Sequence, residues 1–301
     1  MSRLLVLGAG FLGSAVARVG ARRLPTTVVD PPFDPTLQRR DRAATDALRA
    51  LVAEQGAHDG EVAVINACGR VVGTREELHD ANVAFVEWLV DAVGDTGARL
   101  VHVGSASELG DPGTAAKVDE TQPMAPTGDY AETKAEGTQV VLDAAADGGL
   151  DALVARVFNV VGHPVPASSP MSAWLTEVRA LPDHGGEVEV WWPATTRDFV
   201  HVDDVATSLI DLALVDAAPA DGGSGAAALP SLVNVCTGTG IRFGEIVEAL
   251  AAELGRPVQV RSLERPGIEC VVGDPSLLIS LTGSAPTMTL ERLARTVVRG
   301  D

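Results

Sequence analysis

The residues best placed to do chemistry are Tyr130 and Lys134. Tyr130 is the chain's only tyrosine, and Lys134, one of its two lysines, follows at a spacing of four. On a helix, positions i and i+4 share a face. The ammonium is therefore expected beside the phenol. A phenol titrates near 10, too high for a base at neutral pH. A neighbouring cation favours the phenolate and would poise Tyr130 for proton transfer. The alternative is a surface tyrosine and a surface lysine that merely stack.

A second pattern lies at the N-terminus. Leu4-Leu5-Val6-Leu7 is an apolar run of strand length, and Gly8-Ala9-Gly10-Phe11-Leu12-Gly13 follows it. Ala15, Val16 and Val19 then recur at helical spacing. Gly-x-Gly-x-x-Gly between a strand and a helix is a dinucleotide-binding pattern. Gly8 allows the tight turn, Gly10 lets the backbone approach a pyrophosphate, and Gly13 lets helix and strand pack closely. The helix N-terminus offers free N–H groups and a positive dipole to the phosphates. A further strand, Thr26 to Val29, ends in Asp30. That carboxylate would accept the ribose hydroxyls and repel a 2′-phosphate, which favours NAD over NADP. The apolar start could also be read as a secretory leader, but the glycine spacing and Asp30 assign it to the first strand.

These residues need a scaffold, and the chain alternates strand and helix, the mark of a parallel sheet. Apolar strands are expected at Val62–Ile65, Arg99–Val103 and Ala152–Phe158. Helices are expected at Asp46–Gln55, Asn82–Val93 and Tyr130–Ala146. Pro31-Pro32-Phe33-Asp34-Pro35 reads as a loop, and Ala217 to Ala228 is a low-complexity stretch. The predicted fold class is α/β: a doubly wound parallel (Rossmann) sheet with a smaller, discontinuous C-terminal substrate-binding region. The Rossmann domain is expected over residues 1–160 with a later contribution from 197–237. The substrate region is expected over 161–196 and 238–301.

Composition narrows the partners. The 301 residues carry a formal net charge of −18, which opposes nucleic acid and anionic membrane surfaces. No apolar run reaches membrane-spanning length. Cys68, Cys236 and Cys270 are scattered and odd in number, as buried thiols of a reducing, cytoplasmic compartment would be. No cluster has metal-ligand spacing, so no metal is expected.

Taken in order, the motifs resemble those of extended short-chain dehydrogenases/reductases, the NAD-dependent epimerase/dehydratases that act on nucleotide sugars. The resemblance rests on the glycine loop, Asp30, Asn66-Ala67-Cys68-Gly69, Asn82, Ser105, Tyr130-x-x-x-Lys134, Arg156-Val157-Phe158-Asn159, Arg197-Asp198-Phe199-Val200-His201-Val202-Asp203-Asp204 and Arg265-Pro266-Gly267. It implies that Tyr130 is the acid/base and that Lys134 lowers its pKa and holds the nicotinamide ribose. Ser105 would hydrogen-bond the reacting oxygen, although a serine there could equally be a turn cap. Gly8, Gly10, Phe11, Leu12, Gly13, Asp30, Ala67, Gly69, Asn82 and Phe158 would serve the cofactor, NAD. Asn82 could equally be an ordinary first-turn asparagine. Ser107, Asn159, Arg197 and Arg265 would meet the substrate, the two arginines clamping a diphosphate. Each arginine could instead form a surface ion pair. Asp203 and Asp204 read as N-cap and first-turn residues.

Ala106 and Ser107 follow Ser105 where the resembled dehydratases and decarboxylases carry acidic residues, so those two reactions are not expected. The Ser105–Gly110 segment looks most like that of 4-epimerases. Glu108 reads as a solvated charge. Ile268 stands where the family has an aspartate, and Trp191-Trp192-Pro193-Ala194 replaces a glycine-rich stretch. The leading expectation is an NAD-dependent epimerase of a nucleotide-activated sugar. The alternatives are an NAD(P)H-dependent ketoreductase and a non-catalytic dinucleotide sensor. The apolar surplus on Asn82–Val93 (Val83, Phe85, Val86, Trp88, Leu89, Val90) and on Tyr130–Ala146 (Val140, Val141, Leu142, Ala144, Ala145, Ala146) also suggests a homodimer built on those two helices.

Overall fold

The structure is a computed structural model. It describes residues 2–30, 42–56, 61–113, 117–215, 229–263 and 267–300. The Pro31–Pro35 loop, the whole low-complexity stretch and Arg265 lie outside the described residues.

The first half follows the expected alternation. β1 (Arg3–Leu7) leads through the glycine loop to α1 (Phe11–Gly20), then β2 (Thr26–Val29), α2 (Arg42–Gly56) and β3 (Val62–Asn66). α3 (Arg75–His79) runs through a π-helical turn (Asp80–Ala84) into α4 (Phe85–Val93), followed by β4 (Arg99–Ser105), α5 (Asp129–Ala146) and β5 (Ala152–Val157). The chain then gives β6 (Asn159–Val161), α6 (Pro170–Ala180), β7 (Gly186–Trp191), β8 (Thr196–His201) and α7 (Val202–Leu214). It closes with β9 (Leu232–Val235), β10 (Gly240–Arg242), α8 (Phe243–Glu253), β11 (Val258–Leu263), β12 (Cys270–Val271), α9 (Ser276–Thr282) and α10 (Leu290–Arg299).

A six-stranded sheet in the order β2-β1-β3-β4-β5-β9 forms the core, and all its pairings are parallel. Strand alternation covers both faces. Leu4 and Val6 of β1 join the cluster with Val16 of α1 and Leu209 of α7, whereas Leu5 and Leu7 join the one with Val52 and Leu89. A sheet buried on both sides needs the near-continuous apolar strands this sequence carries.

The strand order reverses at β1, between β2 and β3, and the glycine loop leaves the sheet there. Gly8 adopts φ +99, a region that disfavours side chains. A Cβ on Gly13 would run into the Gly8 carbonyl oxygen, so only glycine lets α1 start so close to the strand.

The C-terminal region builds its own small sheets. β8 pairs with β10, β12 and β6, and β7 pairs with β11. β8 thus lies in this second sheet, while α7 and β9 return to the Rossmann core. A separate apolar cluster, with Trp174, Val178, Val190, Ile246 and Leu293, holds α6, α8 and α10 together. His201 is the N-cap of α7: its ring Nδ1 accepts from the Asp203 amide at 3.1 Å. Asp203 and Asp204 are both first-turn residues, tied to Arg18 and Arg292 respectively.

The apolar surplus on α4 has an intramolecular explanation. Val83, Phe85, Val86 and Leu89 are buried, and the Trp88 indole donates to the Thr45 hydroxyl of α2 at 2.9 Å. The second stripe of α4 is therefore covered by α2. On α5, Val140 and Leu142 stay half-buried.

Candidate active site

The C-terminal ends of the central strands open onto a cleft of about 850 Å³. Phe11, Leu12, Ala67, Gly69 and Asn82 line it on the glycine-loop side. Ser105, Ser107, Tyr130 and Lys134 line its middle, with Phe158, Asn159 and Arg197 beyond them. The fold thus brings residues far apart in sequence to one cleft, where doubly wound sheets place their sites.

The cofactor end fits a dinucleotide. A side chain on Gly10 would meet no protein atom within 4 Å and would fill the cleft instead. Gly10 is also the N-cap of α1, so the helix's first N–H groups face the same space. Asp30 closes the β2 end, and its Oδ1 accepts from the Ala9 amide at 3.1 Å. Asn82 braces this side. Its Oδ1 accepts from the Arg70 amide at 2.8 Å, and its Nδ2 donates to the Arg70 carbonyl at 3.0 Å and the Thr133 hydroxyl at 3.1 Å. It does so from the π-turn, a distortion common at functional sites. A Cβ on Gly137 would strike the Asn82 carbonyl, so glycine there lets α5 dock against that turn. Cys68 is inert: burial first, then Asp30, pushes its thiol up to about 12.

Ser105 serves two ends. Its hydroxyl caps the short turn at Ala106–Leu109, 3.2 Å from the Ser107 amide, and lies 2.8 Å from the Ser107 hydroxyl. It also contacts the Tyr130 phenol. The turn cap and the expected site hydroxyl are therefore the same group.

The Tyr/Lys pair differs from the expectation in one respect. Burial pushes the phenol's pKa up, the Ser105 contact pulls it down, and Glu108 pushes it up. Lys134 is not among the influences on the phenol. Its ammonium donates to the Val103 carbonyl at 2.7 Å and faces Glu108. Burial lowers the Lys134 pKa and Glu108 raises it.

Glu108 is the second correction. It is no solvated charge: it is 0% exposed, and burial raises its pKa against the pull of Lys134, the Ser105 amide, Arg156 and Thr138. Two signals in the sequence pointed there. Ser105-x-x-Glu108 is capping-box spacing, and Arg156 stands in an otherwise apolar strand, where a buried cation needs a partner.

The far end of the cleft carries Met171, Trp174, Phe199, Phe243 and Ile268, an apolar wall that no single motif announced. Arg197 sits among them, with its guanidinium 5.9 Å above the Phe243 ring. It donates to the carbonyls of Thr196 at 2.9 Å and Ile268 at 3.0 Å, an arrangement unlike a surface ion pair. The Asn159 amide donates to the Asp198 carbonyl at 2.8 Å. Among the cleft-lining residues only Asp129 carries a carboxylate, and it is tied to Arg75 at 3.1 Å. Among the described residues no group of three His, Cys, Asp or Glu side chains could hold a metal ion. No described helix is long and apolar enough to cross a membrane.

A parallel nucleotide-binding sheet with this cleft defines a Rossmann-type protein. The model of the NAD dependent epimerase/dehydratase family matches residues 4–222, and the chain belongs to that family. A dTDP-6-deoxy-L-talose 4-dehydrogenase (NAD(P)(+)) of Kitasatospora kifunensis is 31% identical over 208 residues. That match covers 67% of this chain but 62% of the relative's own length. Among solved structures, RMD from Pseudomonas aeruginosa, complexed with NADPH, superposes with a TM-score of 0.77 at 21% identity, covering 99% of this chain and 98% of that one. A UDP-glucose-4-epimerase from Stenotrophomonas maltophila, with bound NAD and formylated UDP-arabinopyranose, gives 0.77 at 23%, covering 98% and 96%. These likenesses bear out the Rossmann fold. NAD is the family's cofactor, and the glycine loop, Gly10 and Asp30 are the residues that would hold it.

Asp30 generates a test of cofactor choice. Calorimetry on the unaltered protein is expected to show tighter binding of NAD(H) than of NADP(H), because the carboxylate opposes a 2′-phosphate. Asp30→Ala is expected to narrow that gap. Tighter NADPH binding to the unaltered protein would contradict the assignment.

Proposed function

We propose that this protein interconverts a carbinol and a ketone on a nucleotide-activated sugar, as an NAD-dependent oxidoreductase. The observation that carries this is the convergence of Ser105, Tyr130 and Lys134 midway along a cleft. A dinucleotide-type glycine loop closes one end, and Arg197 with an apolar wall closes the other. The curated relative, by name a dTDP-sugar 4-dehydrogenase, favours net redox turnover.

When bound, NAD supplies the hydride acceptor, or in its reduced form the donor. The chain's own residues handle the proton and the geometry. In the oxidative direction Tyr130 takes the proton from the sugar hydroxyl, and in reduction it returns the proton to the carbonyl oxygen. Ser105 donates to that same oxygen and holds it against the phenol. Lys134, which lines the same cleft, adds a buried positive charge to its middle and is suited to the cofactor's ribose hydroxyls. Arg197, free of a carboxylate partner in its hydrogen bonds, is suited to the substrate's diphosphate. Arg265 is proposed to share that task.

Epimerisation is the second reading, favoured by the likeness of the Ser105–Gly110 segment to that of 4-epimerases. It uses the same steps, with hydride returned to the opposite face of the ketone. Dehydration is disfavoured, because no free carboxylate follows Ser105 to remove a second proton.

The protein incubated with NAD and a set of UDP- and dTDP-hexoses distinguishes these. Accumulating reduced nicotinamide marks the dehydrogenase, whereas an epimeric product without net reduction marks the epimerase. Failure to transform any nucleotide-activated sugar, or loss of water, would contradict the proposal.

We further propose a homodimer through α5 and its neighbours, with the half-buried Val140 and Leu142 at the seam. Sedimentation at micromolar concentration is expected to give twice the chain mass; a monomer mass would refute it.

A further inference from the structure

An acid lies buried behind the site, and the hydride-transfer chemistry has no use for it. Oε1 of Glu108 accepts from the Ser105 amide at 2.6 Å and from the Thr138 hydroxyl of α5 at 3.0 Å. Oε2 has no hydrogen bond and lies 3.6 Å from Nε of Arg156 on β5. Arg156 is 1% exposed, and its Nε and one terminal nitrogen are likewise without hydrogen-bond partners. Lys134 faces the same carboxyl from α5.

An ensemble of this kind is a poor way to gain stability. Burying an ion pair strips both ions of water, and an apolar pair of similar volume often does as well. The geometry here is also imperfect, since the Glu108–Arg156 contact is not a hydrogen bond. What the carboxyl does achieve is a connection. It ties the backbone of Ser105 to α5, the helix that carries Tyr130 and Lys134. It also places one anion among two buried cations.

We propose that Glu108 is a positioning residue of this site, locking the Ser105 turn to α5 and supplying the negative charge against which Tyr130 and Lys134 are set. The proposal rests on the reading of Tyr130 as the proton carrier, but its test does not need a substrate. The other charged groups near the cluster are accounted for. His102 of β4 is kept neutral by full burial, then by Lys134. Glu120 also acts on Arg156 and raises its pKa. The Glu108 carboxylate opposes ionisation of the phenol and favours the ammonium. Removing its charge must therefore lower both pKa values.

Because Tyr130 is the only tyrosine, the near-ultraviolet phenolate band of the whole chain reports on this one group. The experiment is a pH titration of that band in the unaltered protein, in Glu108→Gln and in Glu108→Gln/Arg156→Met, on protein that keeps its native circular dichroism. Glutamine retains an oxygen for the Ser105 amide and Thr138, while methionine removes the cation it would leave unpaired. Both variants are expected to ionise Tyr130 at lower pH than the unaltered protein, and the double variant to unfold at a temperature close to it. If the single variant does not fold, the double variant decides. A midpoint unchanged or raised in a folded variant overturns the proposal and leaves Glu108 a packing residue. A lowered midpoint in a protein that transforms no nucleotide-activated sugar would sustain it while the proposed activity fails.

Discussion

The site is organised around a lysine ammonium removed from water. Lys134 is almost wholly buried at the C-terminal end of β4, and burial alone pulls its pKa down. An isolated ammonium in such a place would shed its proton rather than bear the desolvation cost. Here the Val103 carbonyl accepts from it, and the Glu108 carboxylate faces it. Those two contacts fix where α5 crosses the end of β4. Docking that closely also requires glycine at 137, opposite the Asn82 carbonyl. The position of Tyr130 follows, one helical turn before Lys134 and against the Ser105 turn.

Much of this was legible in the sequence because the determinants are local. β2 falls at the expected Thr26–Val29, and α5 begins one residue before the expected Tyr130. Apolar strand runs and glycines at fixed offsets need no tertiary information. What escaped depended on contacts between distant segments. Trp88 looked surplus on its own helix because α2, which covers it, is joined to it only through the fold. Glu108 looked solvated because its partners, Thr138 and Arg156, lie 30 and 48 residues away. Lys134 was expected to act on Tyr130, and spacing alone does not show the partners its ammonium finds at Val103 and Glu108.

The substrate end shows a different limit. The apolar wall of Met171, Trp174, Phe199, Phe243 and Ile268 is drawn from α6, β8, α8 and the segment before β12. Each residue reads as ordinary core in its own element. Only their assembly around Arg197, with the Phe243 ring under its guanidinium, makes the wall to which the proposed function assigns the substrate. Cofactor recognition is written in backbone turns and survives as a motif. The proposed substrate wall is written in side chains gathered from several elements and does not.

The central claim is that the phenol of Tyr130 carries the proton that accompanies hydride transfer. Its most direct test is the rate of nicotinamide reduction by Tyr130→Phe with a nucleotide-activated sugar that the unaltered protein oxidises, alongside calorimetry of NAD binding. The account predicts unchanged NAD affinity and a loss in rate of about 10² or more, the usual worth of a positioned acid/base group. A phenylalanine variant that reduces NAD at a rate near that of the unaltered protein would contradict it.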